Sequence, residues 1–256
     1  MNYFFLIKSD NLGSKLQLPR YTNYGEFHKD NYGLFSASIY KNRWLIQETK
    51  SDDDYWFEIN SQKIKDDKIF FIASKSEAEL IHSGNKLIDL NTFTDSTPDF
   101  RGNLEINNSL GGLSSYQAEY PFRMTKKLGT LYSETGLLTH PKSNRLGVFI
   151  KNIYYLPIRE KRVLYLFNSK SKVIVEKFDI YLNETNFIDL TPWKENLHHC
   201  FIFAKDFLGI PLYVIEYSDG SLSIEHTHPP HSTIHGDDKW KYVNKIKNKA
   251  YDEIFT

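Results

Sequence analysis

One cysteine, Cys200, stands in 256 residues, which excludes an intramolecular disulfide and any zinc site built from cysteine alone. Charge of neither sign is in excess, because 32 Lys and Arg balance 32 Asp and Glu. A chain so balanced lacks the cationic footprint of a general nucleic-acid binder. Long apolar runs are missing too. No stretch approaches the ~20 residues of a membrane-spanning helix. The opening run Tyr3-Phe4-Phe5-Leu6-Ile7 is shorter than the ~7–15 apolar residues of an export segment and has no basic start. These absences predict a cytoplasmic protein with neither nucleic acid nor membrane as partner.

Aromatic residues are abundant instead: 18 Phe, 17 Tyr and 4 Trp make up 15% of the chain. They suit half-buried pleated surfaces and also build stacking platforms for sugar rings or bases. Lys, Asn and Ile are common as well, so a drift toward AT-rich codons accounts for part of the excess. Most of the sequence alternates in period two between turn residues, the pattern of strands. The alternation predicts strands at Tyr3–Lys8, Gly33–Tyr40, Arg43–Gln47, Tyr55–Ile59, Lys68–Ala73 and Arg101–Asn107. Further strands are expected at Leu146–Tyr155, Arg162–Phe167, Val173–Tyr181, His199–Phe203, Pro211–Tyr217 and Ser221–Thr227. Two segments read as helices. Lys75–Ile81 follows serines (Ser74 and Ser76) spaced three residues before Glu77 and Glu79, as in a capping box. Asp237–Ile254 places Trp240, Val243, Ile246, Ala250 and Ile254 on one face, with Lys241, Lys245 and Lys249 largely elsewhere.

About seven strands fall between Leu146 and His228, a density that predicts a β-sandwich of immunoglobulin-like or jelly-roll type. A faint internal echo suggests two tandem β halves. Lys86–Phe93 resembles Asn186–Trp193, and Gly33-Leu34-Phe35 resembles Gly147-Val148-Phe149; chance similarity between strand-rich segments explains this equally well. The expected organisation is an N-terminal β half at 1–107, an ordered connecting segment at 108–145, a C-terminal sandwich half at 146–235 and a helix at 236–256. The connecting segment is the least strand-like part, and it is too aromatic for a flexible linker.

Chemistry concentrates in two places. Four of the nine histidines, His226, His228, His231 and His235, lie within ten residues. Beyond the turn Ser218-Asp219-Gly220, period two puts Leu222, Ile224, His226 and His228 on one strand face, the inward one. Two imidazoles so spaced can grip a divalent metal such as zinc or iron, and Pro229-Pro230 would let His231 turn back as a third ligand. The competing reading is a core histidine satisfied by a backbone carbonyl. Glu225 faces the other side of the strand, so Glu119 is the carboxylate candidate.

The second place is the connecting segment. Gly111-Gly112-Leu113-Ser114-Ser115 offers consecutive N–H groups for an anion nest, with Ser114 or Ser115 as a weak nucleophile candidate. Tyr116, Gln117, Glu119, Tyr120 and Arg123 form a polar–aromatic group suited to a hydroxylated small molecule. Just before it, Arg101, Asn103 and Glu105 alternate with Gly102, Leu104 and Ile106, leaving one strand face polar. His198-His199-Cys200 is no nucleophile pair, since strand neighbours point to opposite faces.

Two functions compete most closely. In the first, a metal-dependent hydrolase or lyase acts on a polar small molecule or sugar derivative. His226, His228 and His231 hold the ion, and Glu119, Ser114, Ser115, Tyr116 and His235 supply catalytic groups. Arg101, Gln117, Tyr120, Arg123 and Glu225 bind the ligand. In the second, a β-sandwich module holds a carbohydrate or another polar ligand without chemistry. A third reading, a scaffold offering strand edges to a protein, draws on the strand content alone.

Overall fold

A computed structural model describes residues 2–19, 32–50, 56–64, 66–90, 102–126, 128–226 and 239–255. The chain divides into two compact units. The first comprises Met1–Lys126, Ile153–Arg159 and Asn183–Thr185, and the second Lys127–Asn152, Glu160–Leu182 and Asn186–Thr256.

The first unit begins with β1 (Asn2–Phe5) and β2 (Leu12–Pro19), then β3 (Gly33–Tyr40), β4 (Arg43–Thr49), β5 (Trp56–Asn60) and β6 (Ile69–Ala73). Helix α1 (Lys75–Gly84) follows, then β7 (Asn103–Asn108), β8 (Leu113–Gln117), β9 (Glu119–Pro121) and the single turn α2 (Phe122–Thr125). These strands build two sheets, ordered β4-β3-β6-β1-β9 and β5-β2-β7-β8. Every pairing within them is antiparallel. β6 is buried along its whole length, as a central strand covered on both faces must be. Between β3 and β4, Lys41 and Asn42 both adopt positive φ, at 48° and 59°, the geometry of a two-residue hairpin turn whose twist matches its strands.

Helix α1 starts where the sequence places it. Ser74 Oγ accepts from the Glu77 amide at 3.3 Å, while the Ser74 amide donates to Glu77 Oε2 at 2.9 Å, so the reciprocal box forms at the first of the two serines. The helix runs on to Gly84 and stops at Asn85, which is left-handed and bridges the Trp44 amide and the Asn42 carbonyl. The two sheets of this unit meet at Gly102. A Cβ there would stand 2.7 Å from side-chain carbons of both Leu18 and Phe4, so only glycine lets the strands close.

The second unit contains β10 (Leu131–Glu134), β11 (Ser143–Lys151), β12 (Lys161–Asn168), β13 (Val173–Tyr181), β14 (Thr185–Asp189), β15 (Cys200–Ala204), β16 (Ile210–Tyr217), β17 (Leu222–Glu225) and α3 (Lys239–Phe255). Its sheets are ordered β10-β15-β12-β13 and β14-β11-β16-β17. The last hairpin turns at Gly220, whose φ is +86°. In α3, Lys241, Lys245 and Lys249 are exposed as expected, while Tyr251 stacks on Phe203 and Phe255 packs edge-on against Tyr165. Lys247 departs from the expected pattern: it is buried, with Nζ on the Thr130 carbonyl at 3.2 Å.

The β-sandwich expectation is corrected. The strands form four small antiparallel sheets, two in each unit, of the size and make-up of propeller-like blades. Strand count and turn spacing are similar for the two architectures, and only the pairing order separates them. The segment 108–145 is not strand-poor either, since it contributes β8, β9, β10 and the start of β11. The echo is uneven in structure. Gly33 opens β3 and Gly147 lies within β11, but residues 87–90 form no strand where 186–189 belong to β14.

Candidate functional site

The sheet β5-β2-β7-β8 presents one apolar and one polar face. In β2, Leu12, Ser14, Leu16 and Leu18 are buried while Lys15 and Gln17 are half-buried. In β5, Phe57 and Ile59 are buried while Trp56 and Glu58 are exposed. β7 repeats the pattern, with Leu104 and Ile106 buried beside Asn103 and Glu105. The inward set belongs to the core, and the outward set forms ladders across the sheet. Register places Glu58, Gln17, Asn103 and Gln117 in one row, and Asn60, Lys15, Glu105 and Ser115 in the next. Neighbouring strands lie roughly 4.8 Å apart, so each row is a line of closely spaced donors and acceptors.

Local bonds hold these rows in place. Asn103 Nδ2 donates to Gln17 Oε1 at 3.4 Å, and Gln17 Nε2 donates to Glu58 Oε2 at 3.2 Å. Lys15 Nζ stands 3.5 Å from Glu105 and 3.9 Å from Glu58. At one end of the face Trp56 keeps 42% of its surface exposed, and at another Leu113 keeps 60%. A large ring left outside, next to amides and carboxylates, is the unusual feature here, because apolar side chains of that size are mostly buried.

Beside the edge strand β5 the face opens into a cleft of about 490 Å³, lined by Ser36, Thr49, Lys50, Glu58, Asn60, Lys63, Lys68 and the apolar Ile59, Ile64 and Phe70. Residues of both sheets contribute. Asn60 shapes the rim, its side-chain oxygen accepting from the Gln62 amide at 2.9 Å and so capping the 3-10 turn Ser61–Lys63.

The residues singled out from sequence divide clearly. Ser115 and Gln117 join Asn103 and Glu105 on the polar face, opposite Glu105 and Asn103 respectively. Ser114 and Tyr116 lie on the other side of β8, half-buried and paired in register with Ile106 and Leu104. Glu119 turns its carboxylate to the Gly102 amide at 3.2 Å, a structural tie between β9 and the start of β7. Tyr120 is fully buried, and burial raises its hydroxyl pKa far above the usual tyrosine range despite a backbone hydrogen bond with Ile153. It is a core residue. Arg123 is exposed on α2. The glycine nest is already filled: Asn108 Oδ1 accepts from the amides of Leu110 and Gly112 at 3.1 and 2.8 Å. That turn, with Gly111 at φ +86°, caps a hairpin.

The histidine cluster belongs to the second unit. Leu222 and Ile224 are buried, Glu225 is exposed and His226 is half-buried, in the expected alternation. His226 Nδ1 lies 2.9 Å from the Pro211 carbonyl; a carbonyl oxygen only accepts, so Nδ1 carries the proton and donates. Among the described residues no three His, Cys, Asp or Glu side chains converge as a metal centre; the expected zinc or iron site falls on His228 and His231, which, like His235 and Arg101, lie outside the described residues. His198 and His199 end a 3-10 helix, Thr191–His199, and do not continue a strand. Their rings stand 3.8 Å apart, and desolvation, with the neighbouring His198 charge adding, lowers the His199 pKa. Cys200 is buried, donates to the Asn196 carbonyl at 3.3 Å, and burial raises its thiol pKa, as an inert structural thiol requires.

Sequence reasoning missed Trp56, Glu58, Lys15 and Gln17. Their signal was present as period-two alternation, but which strands pair to align them was not. Among the described residues no helix is long and apolar enough to cross a membrane. Comparison with protein-family models, curated proteins and solved structures returned no match to this chain.

Proposed function

We propose that the first unit is a binding module for a hydroxylated small molecule, a carbohydrate in particular, and that the outward face of β5-β2-β7-β8 receives it. One observation carries the reading: an exposed indole, Trp56, stands next to in-register rows of amide, carboxylate and hydroxyl side chains. A sugar offers an apolar C–H face, which the ring would stack, and a rim of hydroxyls, which need donors and acceptors at close spacing. Gln17, Asn103 and Gln117 each provide both. Among the described residues no acid–base pair or nucleophile stands on this face in an activating arrangement, so the reading is binding without turnover.

The test is a titration of the full chain with a panel of neutral mono- and disaccharides, followed by two-dimensional NMR. At least one sugar should bind and move the Trp56 indole resonance, and Trp56→Ala should weaken that binding by about fivefold to 150-fold, as loss of a stacking ring worth about 1–3 kcal/mol implies. A panel without a binder, or a binder indifferent to Trp56→Ala, overturns the proposal.

A further inference from the structure

The cleft beside β5 has a composition that the polar face lacks. Lys50, Lys63 and Lys68 line it, against the single carboxylate of Glu58. That carboxylate is already engaged on the face by Gln17 and Lys15. Among the described residues none of the three lysines makes an ion pair. Lys68 Nζ instead reaches the neutral Gln47 Oε1 at 3.1 Å. Of the three lysines, Lys63 ends the 3-10 turn after β5 and Lys68 directly precedes β6. Both line the cleft together with Asn60, Ile64, Ser36 and Thr49, and the Ser36 hydroxyl donates to the Gln47 carbonyl at 3.4 Å.

We infer that this cleft is an anion subsite, and that the molecule bound on the face is an anionic sugar whose phosphate or similar group sits between Lys63 and Lys68. The inference rests on the face reading for the sugar, and on the cleft alone for the anion. Two ammonium groups that make no ion pair among the described residues, beside the Thr49 hydroxyl in a recess, suit a compact oxyanion; Asp66 and Asp67 line a separate recess with Lys68. Glu58 and Asn60 belong both to the rows of the face and to the wall of the cleft, so one ligand can engage the two surfaces at once. Volume does not limit it, since about 490 Å³ is within the range of small-molecule pockets.

The experiment titrates the full chain with glucose and mannose, with their 6-phosphates, and with inorganic phosphate, by calorimetry and by NMR. The phosphorylated sugars should bind at least tenfold more tightly than the neutral ones. Lys63→Gln with Lys68→Gln should erase that margin while leaving the neutral affinity unchanged, and added salt should narrow it. Equal affinity for neutral and phosphorylated sugars overturns the anion subsite and leaves the face reading standing. Phosphate shifting the Lys63 and Lys68 amides with no sugar bound supports the subsite and overturns the face reading. No response to any probe overturns both. Lys63 is exposed, so the single Lys63→Gln variant serves as a folded control for the double one.

Discussion

Lys247 is a charged residue whose environment opposes its charge. It sits on α3 with only 8% of its surface exposed, and its ammonium donates to the Thr130 carbonyl. Burial lowers its pKa below the usual lysine value of 10.5. Between the lowered native value and the ordinary unfolded one, the unfolded chain holds a proton that the folded chain lacks. Stability therefore rises with pH across that window, and the full desolvation cost applies below it. Urea unfolding from pH 8 to 10.5 should show this rise in the parent and a flatter profile in Lys247→Met; an unchanged slope in the variant would refute the assignment. Ser74 offers a simpler test. Its hydroxyl and the Glu77 carboxylate satisfy each other's backbone amides, so Ser74→Ala should lower stability by about 1 kcal/mol. A shift in the urea midpoint within error of zero would mean that the cap contributes nothing.

Elements differ in how far local sequence specifies them. The strand Val173–Tyr181 and the hairpin strand Gly33–Tyr40 fall at the bounds read from sequence, because period two and a Gly or Asn turn are local properties. β8 reads as a loop because Leu113-Ser114-Ser115-Tyr116-Gln117 is an edge strand with little apolar surface to bury. β2 is hidden by Gly13 and Pro19 at its ends, although Leu12, Leu16 and Leu18 alternate. The polar side of Asn103 and Glu105 is legible in the residue pattern; its partnership with Gln17 and Glu58 is not, because strand order is a long-range property. At Gly102 the close approach of Leu18 and Phe4 ties one sheet to the other. Gly102→Ala should destabilise the first unit by about 1–3 kcal/mol through overpacking, measured by thermal or urea unfolding. A variant as stable as the parent would show that this contact yields freely.

For the whole molecule, the two units carry different chemistry. The first holds the polar face, its indole and the lysine-lined cleft, while the second holds His226 with its ring tied to a backbone carbonyl. Four sheets of modest size take the place of the expected sandwich, and the proposed binding surface is one exposed strand face of the first unit. Hydrogen exchange read by mass spectrometry, with and without a bound sugar, tests this assignment most directly. Binding that excludes solvent from one face should slow exchange in peptides covering β2, β5, β7 and β8 and leave the second unit's peptides unchanged. Protection confined to the peptides around His226, with β5 and β8 exchanging as before, would contradict it.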